Sequence, residues 1–231
     1  ILDNTRLVCV TPSHQFPMGR IMPASDRISL LNAINGRDIY IVEDDYDSEF
    51  RYDGSPVHPL KALNPDKVIY LGSLSKVLSP ALSIGYAVIP QPLLEKFKTL
   101  KRFSDAQSPV IDQIALKLFI RYGGFERHIF RMKKAYRKKR DTLVSQLLNA
   151  FGSQVRIFGE NAGLHLVAQF KNRQFITDDR FNIIHNRVMI QSVEKHAIVP
   201  GRHRDKLIFG YGNLTREQII QGVERINRFN D

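Results

Sequence analysis

The chain has 231 residues, 43% of them hydrophobic, and a formal net charge of +11 from 34 Lys and Arg against 23 Asp and Glu. That length suits one large domain or two small ones, and no stretch approaches the roughly 20 uncharged apolar residues of a membrane helix. A lone cysteine, Cys9, excludes a disulfide framework and a Cys-based zinc site; with no basic or apolar leader in Ile1-Leu2-Asp3-Asn4, the expectation is a soluble, cytoplasmic protein.

Four apolar runs open the pattern: Leu7 to Val10, Ile39 to Val42, Val68 to Leu71 and Ile84 to Ile89. Each is too short for a helix and rich in β-branched residues, which predicts strands, and Cys9 inside the first reads as a core thiol. Between the first two, Ser25 is placed to cap a helix whose Ile28, Leu31 and Ile34 share a face, and Asn35-Gly36 to close it. Strands alternating with helices predict a mainly parallel sheet, an α/β architecture.

From Pro90 the pattern turns helical. Leu93 to about Phe103 is one segment, and Ser108-Pro109 reads as N-cap and first position of a second, stopped by Gly123-Gly124. A long helix is predicted from Phe125 to about Ala150. Within it Arg127 to Arg140 is basic almost throughout, which reads as the solvated face of a packed helix or as a DNA-facing surface. Leu164 to Phe170 reads as a strand, Phe181 to His196 as mainly helical and Leu207 to Tyr211 as a strand, and Thr215 with Gln218 forms a capping box. The change of pattern puts a boundary in the long helix near residues 125 to 140. Residues 1–125 then form part of a large sheet domain, and 126–231 the connecting helix and a small α+β domain. The chain opens on Ile1 rather than Met and leads almost at once into a strand, so a fragment or processed product is expected.

Parallel α/β sheets bind ligands beyond the carboxyl ends of their strands. There the chain carries Thr11 to Gly19, Glu43 to Phe50, and Gly72-Ser73-Leu74-Ser75-Lys76. A lysine preceded by two small hydroxyl residues suits an amine held at a carbonyl carbon beside a phosphate: Lys76 as a Schiff-base lysine for pyridoxal 5′-phosphate (PLP), Ser73 and Ser75 as phosphate donors. Asp44 could hold a pyridine nitrogen protonated, and Tyr46, two residues on, could bond the ring 3′-oxygen. Taken singly each has a plainer reading, a surface lysine, a capping aspartate and ordinary turn serines; their order at successive strand ends raises the chemical reading above these. His196 and Arg202-His203-Arg204 read as a surface loop or as groups near the cofactor's mouth. No His pair has metal-ligand spacing with an acidic partner, so no metal is expected.

Several strings resemble one family. Pro12 to Gly19 (PSHQFPMG), Val42 to Asp53 (VEDDYDSEFRYD), Tyr70 to Tyr86 (YLGSLSKVLSPALSIGY), Arg127 to Arg140, Asn161 to Val167 and Gly210 to Leu214 (GYGNL) look like the aminotransferase-like half of MocR/GabR-type regulators of the GntR family. The resemblance implies a fold-type-I PLP-dependent aminotransferase-like fold, incomplete at its N-terminus. Lys76 would be the Schiff-base lysine, Asp44 the pyridine-nitrogen partner and Tyr46 the 3′-oxygen partner; His14, with Gln15, would contact the ring. It also implies an amine or amino-acid effector, a homodimer, and DNA binding through an N-terminal winged-helix domain that this chain lacks. An aminotransferase acting on an amino acid or amine is the alternative, and a module that folds without cofactor a third.

Two departures bear on ligands. The family usually carries an Arg seven residues after the lysine to clamp the phosphate, and here that position is Ser83; losing such a contact weakens the hold on the order of 1.5–3 kcal/mol. Where amino-acid sensors can use an Arg for the effector carboxylate, this chain has Asn213 as the effector-binding candidate.

Overall fold

Four strands and two parallel crossovers, each carrying a helix, build the sheet nearest the N-terminus. The computed structural model describes residues 1–54, 57–105, 108–175 and 188–228. They divide into two compact units: Ile1–His14, Ile21–Glu49 and Ser55–Arg131 in one, and Gln15–Arg20, Phe50–Gly54 and Met132–Asp231 in the other.

In the first unit β1 (Leu7–Val10), β2 (Tyr40–Asp45) and β3 (Val68–Ser73) run parallel, and β4 (Gly85–Val88) closes the order β1-β2-β3-β4 antiparallel to β3. Strands β2 and β3 outrun their apolar sequence runs. Polar residues extend β2 because its buried face offers them partners: Ile41, Glu43 and Asp45 are buried on one side, leaving Asp44 exposed on the other. The Glu43 carboxylate accepts from the backbone N–H groups of Leu60 and Lys61 at the start of α2 (Leu60–Leu63), and Arg27 lies 3.6 Å away.

Helix α1 (Ala24–Ile34) departs from expectation. Pro23 occupies its N-cap without a side-chain bond, and the Ser25 hydroxyl turns to Asp26 instead. Its inner face is rotated toward Arg27, which is 1% exposed, while Ile28 is exposed. Burial of that guanidinium is tolerated because it donates to the carbonyls of Met22, His58 and Pro12. The apolar core is Ile34, Ile39, Ile41, Leu60 and Val68, with Val8, Val10, Leu30 and Leu31 packed against it. Cys9 is no core thiol: it is exposed beside Leu7, because β1 is an edge strand of this sheet and the alternation of its pleat turns Val8 and Val10 to the core instead. Helices α3 (Leu94–Asp105) and α4 (Val110–Arg121) bury no residue within the chain, and Leu100, Phe103 and Ile111 stand well exposed. The N-cap of α4 is Pro109 rather than Ser108.

The long helix α5 (Gly124–Phe151) buries Leu143, Leu147 and Phe151 at successive turns in the second unit. There β5 (Val155–Phe158), β6 (His165–Phe170), β7 (Gln191–Ser192) and β8 (Lys206–Gly210) form an antiparallel sheet in the order β5-β6-β8-β7. Helix α6 (Arg216–Asn227) follows, opened by the reciprocal Thr215–Gln218 capping box. Helix was predicted for Phe181 to His196. Residues 181–187 lie outside the described ones, and the rest is β7 followed by a single 3-10 turn at Val193–His196, where the Ser192 hydroxyl accepts from the Glu194 N–H. Two tyrosines explain the Asn161 to Val167 string: the hydroxyls of Tyr52 and Tyr211 both donate to the Gly163 carbonyl, at 2.8 and 2.7 Å. Gly159, at φ +78, lets residue 19 approach so closely that a Cβ there would stand 2.8 Å from the Gly19 Cα.

Candidate functional site

The carboxyl ends of β2 and β3 gather Asp44, Tyr46, Ser73, Ser75 and Lys76 in the first unit. Asp44 sits opposite Leu71 and Asp45 opposite Gly72, so the start of the Ser73–Lys76 turn lies one strand away from the acidic segment. The turn is pinned by its buried neighbours. Leu74 and Val77 are buried on either side of exposed Lys76, the Leu74 N–H donates to the Ile84 carbonyl, and the Val77 carbonyl meets the His128 ring Nε2 at 2.9 Å. The Ser73 hydroxyl accepts from the Ser75 N–H at 3.2 Å. Ser83 ends a 3-10 turn in the left-handed region, φ 47.

Asp44 has no hydrogen-bonding or ion-pair partner among the described residues. Partial burial, with the Asp45 and Asp47 carboxylates beside it, pushes its pKa above the ordinary aspartate value. Tyr46 donates to the His14 carbonyl at 2.6 Å, and burial with the three neighbouring aspartates raises its phenol. His14 is buried and pairs through Nδ1 with Asp47 Oδ2 at 2.9 Å. Burial raises Asp47 while the His14 bond and the nearby Lys76 charge oppose that rise, which sets Lys76 within electrostatic reach of this pair.

On the opposite face of β2, Asp45 accepts from the Tyr70 hydroxyl at 2.7 Å, and the rings of Tyr70 and Tyr86 lie 6.1 Å apart. Asp47, Asp45, Tyr70 and His128 were not singled out from the sequence; the period-two acid pattern of Glu43, Asp45 and Asp47 was the available signal. Gln15 belongs to the second unit, as does Phe16, whose ring meets His165 and His196 edge to face. Asn213, also in the second unit, is exposed in the turn between β8 and α6. No group of three or more His, Cys, Asp or Glu that could hold a metal occurs among the described residues.

No family model matches the chain. It is 39% identical over 234 residues to the uncharacterized HTH-type transcriptional regulator YdeL of Bacillus subtilis, covering 97% of this chain and 48% of that protein. It is 38% identical over 168 residues to the probable rhizopine catabolism regulatory protein MocR of Rhizobium meliloti, covering 72% of this chain and 34% of the relative. The chain thus spans about half, or less, of these regulators' length. Among solved structures, LysN, the α-aminoadipate aminotransferase of Thermus thermophilus, complexed with N-(5′-phosphopyridoxyl)-L-leucine, superposes with a TM-score of 0.84 at 27% identity over 96% of this chain and 58% of that one. Strand order, the site's place beyond parallel strand ends, and the two sets of relatives agree: the chain is a fold-type-I aminotransferase-like α/β domain, similar in sequence to that region of MocR-type HTH regulators.

Proposed function

We propose that the chain is the PLP-binding, effector-sensing domain of a MocR-type transcription regulator, with Lys76 as the covalent attachment point. The observation that supports it most is a carboxylate, Asp44, without a counter-charge among the described residues, at the open end of β2, one strand from the turn that presents an exposed lysine. These residues fit the cofactor. Bound there, PLP supplies an electron sink for amines. Asp44 would hold the pyridine nitrogen protonated, which also relieves the repulsion among Asp44, Asp45 and Asp47. Ser73 and Ser75 would donate to the phosphate, Tyr46 would bond the 3′-oxygen by turning its hydroxyl from the His14 carbonyl, and His14, its ring fixed by Asp47, would contact the ring. Asn213 is the proposed effector contact by resemblance. An amine or amino acid is the proposed effector class, and DNA is assigned to the helix-turn-helix domain for which the relatives are named. The apolar side chains exposed on α3 and α4 support a homodimer.

Borohydride reduction of the whole chain mixed with PLP, followed by peptide mass spectrometry, tests the assignment. The cofactor's mass should appear on the peptide containing Lys76 and vanish in Lys76→Ala. Labelling of another lysine, or equal labelling in the variant, overturns it. Steady accumulation of keto acid from an amino acid over many turnovers would move the reading to an aminotransferase, the activity that LysN is named for.

A further inference from the structure

The second unit contains a cavity of about 690 Å³ at one end of the β6–β8 ladder. Lys171 and Arg173 line it from the loop after β6, Arg202 and Arg204 from the segment before β8. Both segments have fixed backbones. The N–H of Phe170 donates to the Asp205 carbonyl at 2.8 Å, that of Phe175 to the Arg204 carbonyl at 2.7 Å, and those of Gly201 and His203 to the Glu194 carboxylate. Arg173 is further oriented by two aromatic rings, its guanidinium carbon lying 4.9 Å from the Phe151 centroid and 5.9 Å from that of Phe170.

The negative charge nearby is already engaged. Asp205, the one acid among the lining residues, accepts from Gln169 at 2.5 Å and from Lys206 at 2.7 Å. Among the described residues no carboxylate lies within ion-pair distance of Lys171, Arg173, Arg202 or Arg204. Four cations lining one concave polar space repel one another; the Glu194 carboxylate, held by the Gly201 and His203 N–H groups, offsets part of the Arg204 charge, and the remaining excess of positive charge attracts an anion placed among them. Arg202 and Arg204, two residues apart, have His203 between them with its N–H turned to Glu194, and guanidinium forks match phosphate and carboxylate oxygens.

The geometry points to a binding site for a compact, multiply charged anion in the second unit, formed by Lys171, Arg173, Arg202 and Arg204 and carrying phosphate or carboxylate groups on at least two ends. A concave site fed from two loops favours a small molecule over a duplex backbone, which would take a linear or convex row of cations. The site shares no residue with the proposed cofactor pocket and stands independently of that assignment.

Calorimetric titration of the whole chain with pyrophosphate, citrate and inorganic phosphate tests this. Pyrophosphate or citrate should bind saturably at one site per chain, whichever of the two binds more tightly naming the chemistry, and inorganic phosphate should bind about tenfold or more weakly because it cannot reach both sides. Arg202→Glu with Arg204→Glu, both exposed, should weaken binding at least about tenfold without lowering the melting temperature. Lys133→Glu with Lys134→Glu, on α5, should leave it unchanged. No saturable heat from either anion overturns the proposal, as does an equal loss in the α5 variant. It is also overturned if short duplex DNA alone binds and only the Arg202/Arg204 variant loses it.

Discussion

Arg140 shows how much one side chain can decide. Nearly buried on α5, it donates to Asp53 at 2.8 Å and to the Glu160 carbonyl at 2.7 Å, and lies over the Tyr52 ring. Asp53 is half exposed, so solvent screens the ion pair, and the carbonyl left without its donor carries much of the cost of removal. Arg140→Ala should lower stability by about 2 kcal/mol, and Arg140→Lys should recover only part of it, because an ammonium that took over the two Nη1 bonds could not also meet Asp141, as Nε does at 2.6 Å, or stack on the Tyr52 ring. Denaturant titrations of the three proteins check this; an Arg140→Lys variant as stable as the parent would reduce the role to charge alone. Nothing in the sequence singled Arg140 out within the basic run, since its partner Asp53 is 87 residues away. The same distance problem hid Asp47 from His14, 33 residues apart, and His128 from Val77, 51 apart. The position of Asp44, Tyr46 and Lys76 at or just beyond the ends of β2 and β3 was legible, because short apolar runs mark where those strands stop in a linear reading.

At the scale of the element, the segment from Glu43 to Glu49 carries acids whose folded pKa values are shifted upward, chiefly by burial: Glu43, Asp44, Asp47 and Glu49. An acid raised on folding takes up a proton when the chain folds, so its stabilising contribution is complete below the unfolded pKa and lost as pH rises through the folded value. These four groups therefore favour folding as pH falls from neutrality toward the ordinary carboxylate range, opposite in sign to Asp53, which its Arg140 bond holds low. Replacing Asp47 by Asn keeps an acceptor for the His14 ring and removes one titrating group. The melting temperature of Asp47→Asn should then vary less between pH 7 and pH 5 than that of the parent, a range chosen to span the upward shift from about 4. Identical slopes would show that Asp47 does not titrate there. Elements were legible where periodicity was strong, as in β1, α5 and the capped α6. They were misjudged where a long-range partner overrode local pattern: Arg27 turned the inner face of α1 away from Ile28, and buried partners carried β2 past its apolar run.

Among the described residues, each unit gathers its own buried apolar cluster, while α3 and α4 keep large side chains in water. The α/β class was legible because alternating short strands and helices admit few other arrangements. The assignment of residues 15–20 and 50–54 to the second unit was not, since these are excursions whose placement depends on contacts such as Gly19 with Gly159 and Tyr52 with Gly163. Of all these features, the outward-facing Cys9 on an edge strand offers a practical handle. Being the sole thiol of the 231 residues, it gives this chain a built-in attachment point for a fluorophore or spin probe. Maleimide should react with it at close to the rate of a free thiol, monitored by intact mass. Slow modification would mean that this edge is screened in solution, and a conjugated dye would then report, through its emission, whatever comes to rest there.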